Sequence, residues 1–422
     1  MEPNVVTWPR IVGPYAAAMG MTMALVACSA PQVVQRRLTP LEHALELRDR
    51  GQLPEAEAEL RVLVGRGEEG ALSALGETLM LRGHHAEAVE LLKPALQTQP
   101  DDPGLALALA RAADGCGRVD DAVAAYARRL TLRPDDADAA ARMTELLLLR
   151  GDAAHASQVA HAGLKSHPEH AGLLVQSARA LLARGRPAQA LDDARKATAI
   201  AAQMPDAWMV LGEVQLTLGV LDEADKAFRQ TLTLAGDDAT VLRHLGMVQL
   251  ERGELQAAQD SLLRARKLSP DDPQVWLTIA AVRQRARDAA GAVTALQETL
   301  RLQPKWVSAH RFYAEVLLDD GWPAQARTEA TAALELARGQ KQGGDPAACE
   351  EVLARTIVAQ VLTEAMCARQ PHAADLDGAV LTTLQAAGIR WSQGQVVQAG
   401  AAVAAQVKAA AARCAKPAGG TP

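Results

Sequence analysis

From residue 37 to about residue 340 the chain repeats a pattern of small, apolar and polar positions every 34 residues. Pro100, Pro134, Pro168, Pro270 and Pro304 share one register, with Ala202 and Gly236 at the two intervening steps. Gly83, Gly117, Gly151, Gly185, Gly219, Gly253 and Gly321 share a second, which Arg287 interrupts. A third is alanine without exception, from Ala88 through Ala122, Ala156, Ala190, Ala224, Ala258 and Ala292 to Ala326. Each period predicts two helices. The glycine suits a first-helix C-cap, where positive φ is needed. Pro-Asp-Asp-Pro at 100–103 and 270–273 stops one helix and starts the next, the second Asp capping free N–H groups and the following Pro fitting the first turn. Small residues at Gly76, Ala110, Ala178, Gly212, Gly246, Ala280 and Ala314 allow the paired helices to approach closely. One such pair cannot bury its apolar stripe alone, so successive pairs must stack.

The period and its residue types resemble the tetratricopeptide repeat, a helix–turn–helix of 34 residues. Copy 205–238 carries Trp208, Leu211, Gly212, Gly219, Ala224 and Phe228 where the family pattern places them. Copy 273–306 has Trp276, Ile279, Ala280, Ala292 and Pro304, and copy 103–136 has Leu109, Ala110, Gly117, Ala122, Tyr126 and Pro134. A degenerate first copy, 37–68, retains Gly51, Ala56 and Leu60. About nine copies are expected over 37–340. The resemblance implies an all-α, right-handed superhelical solenoid whose first helices line a concave groove for peptides or partner proteins. The ninth position of successive copies then brings Glu77, Arg111, Glu145, Arg179 and Glu213 along that groove, an alternation that suggests a cross-helix ladder of ion pairs. At the twelfth position Leu148, Leu182, Leu216 and Leu250 form an apolar strip, suited either to a bound segment or to packing against the next repeat.

Beyond the repeats, 341–344 reads as a linker, 345–416 as a C-terminal helical cap or docking module, and 417–422 as a disordered tail. Leu353, Ile357, Val358, Val361, Leu362 and Ala365 mark one face of a helix opened by Asp345-Pro346. A second helix is expected near 372–387, ending at Gly388, and a third over about 395–414.

Composition narrows the function. Hydrophobic residues make up 49% of the 422 but aromatics only 3%, so the close helix packing rests on alanine, leucine and valine. A net charge of −6 without a basic patch argues against a nucleic-acid partner. Five cysteines are too few for a disulfide framework. There is no phosphate-binding G-x-x-x-x-G-K-[ST], no H-E-x-x-H and no C-x-x-C, and Gly115-Cys116-Gly117 lacks the third glycine of a dinucleotide loop. His155, His161, His167 and His170 are scattered over a helix and a turn, a poor start for a metal site. No cofactor, catalytic group, metal or small-molecule substrate is expected. Cys349 and Cys367 fall on one helix, too far apart to bridge; Cys367 with Cys414 is the pairing that two helices would allow.

The N-terminus bears on location. Residues 11–27 form an uncharged apolar run behind Arg10, short for a membrane span and weakened by Gly13, Pro14 and Gly20. It ends in Leu25-Val26-Ala27-Cys28, which resembles the lipobox of bacterial lipoproteins. That resemblance implies a signal peptide over 1–27, lipid attachment at Cys28, a tether over 28–36, and an outer-membrane anchor facing the periplasm, since Ser29 stands where an inner-membrane retention signal has Asp. The alternative is an uncut inner-membrane anchor with a cytoplasmic body, to which Arg36 and Arg37 give support. Either way the expected partners are proteins or peptides in the groove, plus the membrane.

Overall fold

The computed structural model describes residues 38–339, 345–367 and 373–414. The segments proposed as signal peptide, tether, linker and tail, with Cys28, lie outside the described residues, as do residues 415 and 416 at the edge of the C-terminal module. Twenty-two helices and no strand appear among the described residues. The first nine hairpins pair α1 (Pro40–Asp49) with α2 (Leu53–Gly65), α3 (Ala71–Leu81) with α4 (His85–Thr98), and α5 (Pro103–Gly115) with α6 (Val119–Leu132). They continue through α7 (Ala137–Leu149) and α8 (Ala153–Ser166), α9 (Ala171–Ala183) and α10 (Pro187–Ile200), and α11 (Pro205–Thr217) and α12 (Leu221–Ala235). The last three are α13 (Ala239–Glu251) with α14 (Leu255–Leu268), α15 (Pro273–Arg285) with α16 (Ala289–Leu302), and α17 (Val307–Asp319) with α18 (Pro323–Gly339).

Helix ends follow local chemistry. Asp102 caps α5 by accepting from the N–H groups of Gly104 (2.7 Å) and Leu105 (3.1 Å). Asp136, Asp238 and Asp272 do the same for α7, α13 and α15. Two backbone bonds close the first helix of the second hairpin, Gly83 N–H to Met80 O at 2.9 Å and His84 N–H to Leu79 O at 2.8 Å. The geometry recurs at each hairpin glycine, with φ +80° at Gly83, +72° at Gly117 and +78° at Gly321. Arg287 takes the same place with φ +62°, the one non-glycine residue with positive φ among those described. A left-handed L-residue costs about 1–2 kcal/mol. Arg287→Gly should therefore stabilise the protein by about 1 kcal/mol, read as a higher midpoint in urea; an unchanged or lower midpoint would show that this turn holds no strain.

Each second helix packs on the following first helix, but contact between helices of the same kind is one-sided. The first helices of successive hairpins touch directly, α1 on α3, α3 on α5, α7 on α9, α9 on α11, α11 on α13, and α13 on α15, whereas second helices make no pairing of that extent among the described residues. The first helices therefore form the inner, concave wall and the second helices the outer one. Two seams differ: α5 and α7, and α15 and α17, lack the direct packing seen elsewhere. The sixth residue of the incoming helix also differs at these seams. Packed seams carry Gln176, Val210 or Thr278 there, but the two open ones carry Arg142 and Phe312. His244 is also large, yet it stacks on Phe228 (5.4 Å, 7° between planes) and burial pushes its imidazole down to about 4, so it stays neutral.

The stack continues past the last recognisable repeat. α19 (Pro346–Cys367) packs on α17 and α18 as another first helix would, although the 34-residue pattern has ended. α20 (Ala373–Ala386) follows, ending near Gly388 with φ +78°. The helix expected over 395–414 is instead two, α21 (Gln393–Ala402) and α22 (Ala404–Cys414). The chain turns at Val403, which is fully buried, so α21 can meet α20 and α19 while α22 lies along α19. Arg413 fastens α22 to the last hairpin turn: its guanidinium lies 4.2 Å from the Trp322 ring centre and donates to Asp320 (3.1 Å) and to the Gly321 carbonyl (3.2 Å). Cys116 and Cys349 are free thiols and Cys367 is disulfide-bonded; the side chain of Cys414 lies outside those described. No described helix is long and apolar enough to cross a membrane.

Candidate binding groove

The fifth, ninth and twelfth residues of the first helices lie toward the concave wall, although Val175, Met209 and Leu318 among them are buried. Repetition of one helix type sets these positions side by side. The predicted charge ladder has one complete rung: Glu77 accepts from Arg48 at 2.9 Å and faces Arg111 at 3.8 Å. Further along, the arginines take other partners. Glu145 pairs within its own helix with Arg142 (2.7 Å), and Arg179 reaches Asp206 (3.4 Å). Arg142 also spans the open seam to Asp114, at 2.5 and 2.8 Å. This residue, at the sixth position, is the cross-helix cation that reading the ninth position alone overlooks.

Leu148, Leu182, Leu216 and Leu250 are each half-buried, with part of the side chain on the core and part facing the groove. Leu149, beside the strip, is 71% exposed. In the middle of the wall lie two charges without an ion-pair partner among the described residues. Burial holds the Glu213 carboxyl above its ordinary range, offset by the more distant Arg179 and Arg243. Burial likewise lowers Arg243, whose guanidinium contacts only Met247 Sδ (3.4 Å) and His244 Nε2 (3.1 Å). Desolvated charges left unpaired oppose stability, and they cluster where a partner completes them. Arg243 sits at the fifth position, outside the two rows singled out from the sequence; its signal is a cation where Val175, Met209 and Leu277 stand at equivalent sites, repeated at Arg311.

A cavity of about 650 Å³ opens at the α5–α7 seam, lined in part by Arg111, Tyr126, Arg129, Arg133 and Asp136. His167 and His170 border it rather than joining His155 and His161: His170 Nε2 lies 3.1 Å from Asp138, and His167 Nε2 lies 2.6 Å from the Asp135 carbonyl.

At the C-terminal end of the stack, His310 takes the place that Trp208 and Trp276 hold in their copies. Each tryptophan N–H donates to the carbonyl six residues earlier, at 2.8 and 2.7 Å, and His310 Nε2 does so to Pro304 at 3.0 Å. Its Nδ1 meets Glu329 at 2.7 Å, and this bond raises the imidazole above its ordinary value against the effect of burial. A raised folded value means the pair's contribution is full below the unfolded value near 6.5 and is lost as pH rises through the folded one. NMR titration should find His310 above 6.5 and Glu329→Gln should bring it down; a value unmoved by that substitution would remove the pairing.

Comparison with known proteins comes to the same architecture. One tetratricopeptide-repeat family matches residues 79–146, and a second matches 41–103, 175–224 and 209–273. No curated protein matches the chain in sequence. Among solved structures, human IFIT1, a dimer with PPP-AAAA, is similar at TM-score 0.54 and 13% identity, over 88% of this chain and 91% of that one. A tetratricopeptide repeat protein from Parabacteroides merdae gives 0.50 and 14%, over 58% and 97%. The APC/C hetero-tetramer Cut9-Hcn1 gives 0.50 and 17%, over 75% of this chain but only 61% of that one. At these identities the likeness is one of fold.

Proposed function

We propose that this tetratricopeptide-repeat chain, a protein-interaction scaffold by its repeats, is a membrane-anchored periplasmic adaptor that holds a protein segment in its concave groove. The carrying observation is the middle of that groove, where Leu182, Leu216 and Leu250 flank the unpaired Glu213 and Arg243. An amphipathic segment would cover the leucines and supply the missing counter-charges. Anchoring rests on the apolar run ending in Leu25-Val26-Ala27-Cys28. A disulfide at Cys367 suits an oxidising compartment. Such an adaptor would support assembly of an envelope machine for pili, secretion or exopolysaccharide export.

Two experiments test the parts separately. A photo-crosslinker at Leu182 should capture a protein in cells, whereas one at exposed Gln189 on the outer wall should not. Leu182→Glu with Leu216→Glu should abolish partner capture at unchanged helicity. A melted variant would assign those leucines to the core, and equal capture from Gln189 would move the binding face. Cys28→Ala, fractionated beside the wild type with intact masses, tests the anchor. A wild type cut before Cys28, heavier by acyl chains and in the outer membrane supports it. Retention of residues 1–27 in the inner membrane would give the solenoid to cytoplasmic clients.

A further inference from the structure

We propose that the cavity at the α5–α7 seam is a carboxylate-binding site that seats an acidic side chain of the segment held in the groove. The inference rests on the adaptor reading and adds a ligand chemistry to it. Its starting point is the opening itself. α5 and α7 pack on each other less extensively than most neighbouring first helices, Arg142 bridges them to Asp114, and Tyr126, Arg129 and Arg133 from the end of α6 line the space between. The space, about 650 Å³, is within the range of pockets that enclose a ligand.

The donors inside divide into committed and free. Arg142 is held by Asp114 and Glu145. Arg129 is held by Asp136 at 2.6 Å and by the Pro103 carbonyl at 2.9 Å. Asp136 is held twice, its charge offset by Arg129 and its other oxygen accepting from the Ala139 N–H at 3.0 Å. The Arg133 guanidinium has no hydrogen bond or ion pair among the described residues, and that of Arg111 has only the long contact to Glu77 at 3.8 Å while remaining 52% exposed. The Tyr126 ring is buried, its hydroxyl has no described partner, and burial pushes that hydroxyl up to about 12, so it remains a donor. Two guanidinium groups and one phenol therefore face the space with hydrogen bonds to give. Arginine forks match a carboxylate in two bonds.

The rim sets the size of the anion. Asp138 is 90% exposed and occupied by His170, and Asp135 is exposed beside it. These carboxylates disfavour a long polyanion such as RNA but leave room for one or two acidic side chains between the arginines.

The test uses the full chain and defined probes: acetylated tetraglutamate, tetraglutamine of equal length, inorganic phosphate and a short oligouridylate. Titration by fluorescence anisotropy should show tetraglutamate binding and tetraglutamine failing to bind. Arg111→Ala and Arg133→Ala should each weaken tetraglutamate about tenfold, the scale of one charge-assisted hydrogen bond. Tyr126→Phe should weaken it less, and Arg133→Lys should restore part of the loss. Circular dichroism of the exposed Arg133 variants checks folding. No binding of tetraglutamate, equal binding of tetraglutamine, indifference to both arginines, or stronger binding of phosphate or oligouridylate would each overturn the site. Crosslinking from Leu182 reports on the groove independently, so loss of the seam site leaves the adaptor reading standing. Conversely, Leu182→Glu with Leu216→Glu should spare tetraglutamate.

Discussion

Phe228→Ala is expected to cost about 3–5 kcal/mol, the range for emptying a buried aromatic site. Phe228 is fully buried in α12, with its ring edge against the backbone of Gly212 in α11. A β-carbon at Gly212 would stand 2.7 Å from that ring, so the pair meets as small against large. Other copies show the same trade at these two positions: Gly76 faces Leu92 and Gly246 faces Leu262, while Thr144 is matched by the small Ala160. Gly212→Ala alone should therefore destabilise by about 1–3 kcal/mol. Combining it with Phe228→Leu should return part of the loss, because the shorter side chain vacates the β-carbon's place. Each repeat leans only on its neighbours. Loss at this repeat should consequently split unfolding into two transitions, with amide exchange rising first in α11–α14. A single transition with uniform exchange would mean that the stack melts as one unit.

Ending the chain after residue 344 is expected to leave a protein that self-associates. Val316, Leu317 and Leu334 of the last hairpin belong to the same core as Val352, Leu353, Ile357 and Val358 of α19. Each large apolar side chain returned to water loses about 1.5–3 kcal/mol, and the uncovered face is continuous. Size-exclusion chromatography should show oligomers, with binding of an apolar dye to match. Arg413→Ala is the milder version: it removes the ring contact and two hydrogen bonds that hold α22, for about 1–3 kcal/mol, without uncovering the core. A truncated chain that stays monomeric and stable would make α19–α22 a separate module rather than a lid on the last repeat.

The fold was readable because its constraints recur. Positive φ at Gly83 and its equivalents, aspartate caps such as Asp102, and small positions such as Gly212 each leave one residue type at one spacing. Eight copies make that pattern plain. α19 was legible as a helix from Asp345-Pro346 and its apolar face, but not as a continuation of the stack, because it needs neither the glycine turn nor the paired second helix that define the period; packing against α17 and α18 suffices. The break at Val403 was invisible because alanine-rich sequence favours helix on both sides, and the turn is imposed by the surface on which α21 and α22 lie. The groove was legible in its leucines and less so in its charges. Ninth-position alternation counts neighbours along one row, whereas long arginines choose partners in two dimensions. Thus Arg142 takes Asp114, and Arg243 is left without a carboxylate.

One-sided stacking has a mechanical meaning. Successive hairpins meet through each second helix on the following first helix and, along the inner wall, through first helix on first helix, whereas second helices do not pair with one another to that extent, so the outer edge is the side that can fan apart at the smaller cost. A pull on the two ends should first straighten the curve and only then rupture repeats one by one, so the solenoid would behave as a soft spring in series. The two seams at which first helices touch least, α5 with α7 and α15 with α17, are where that spring is expected to yield first.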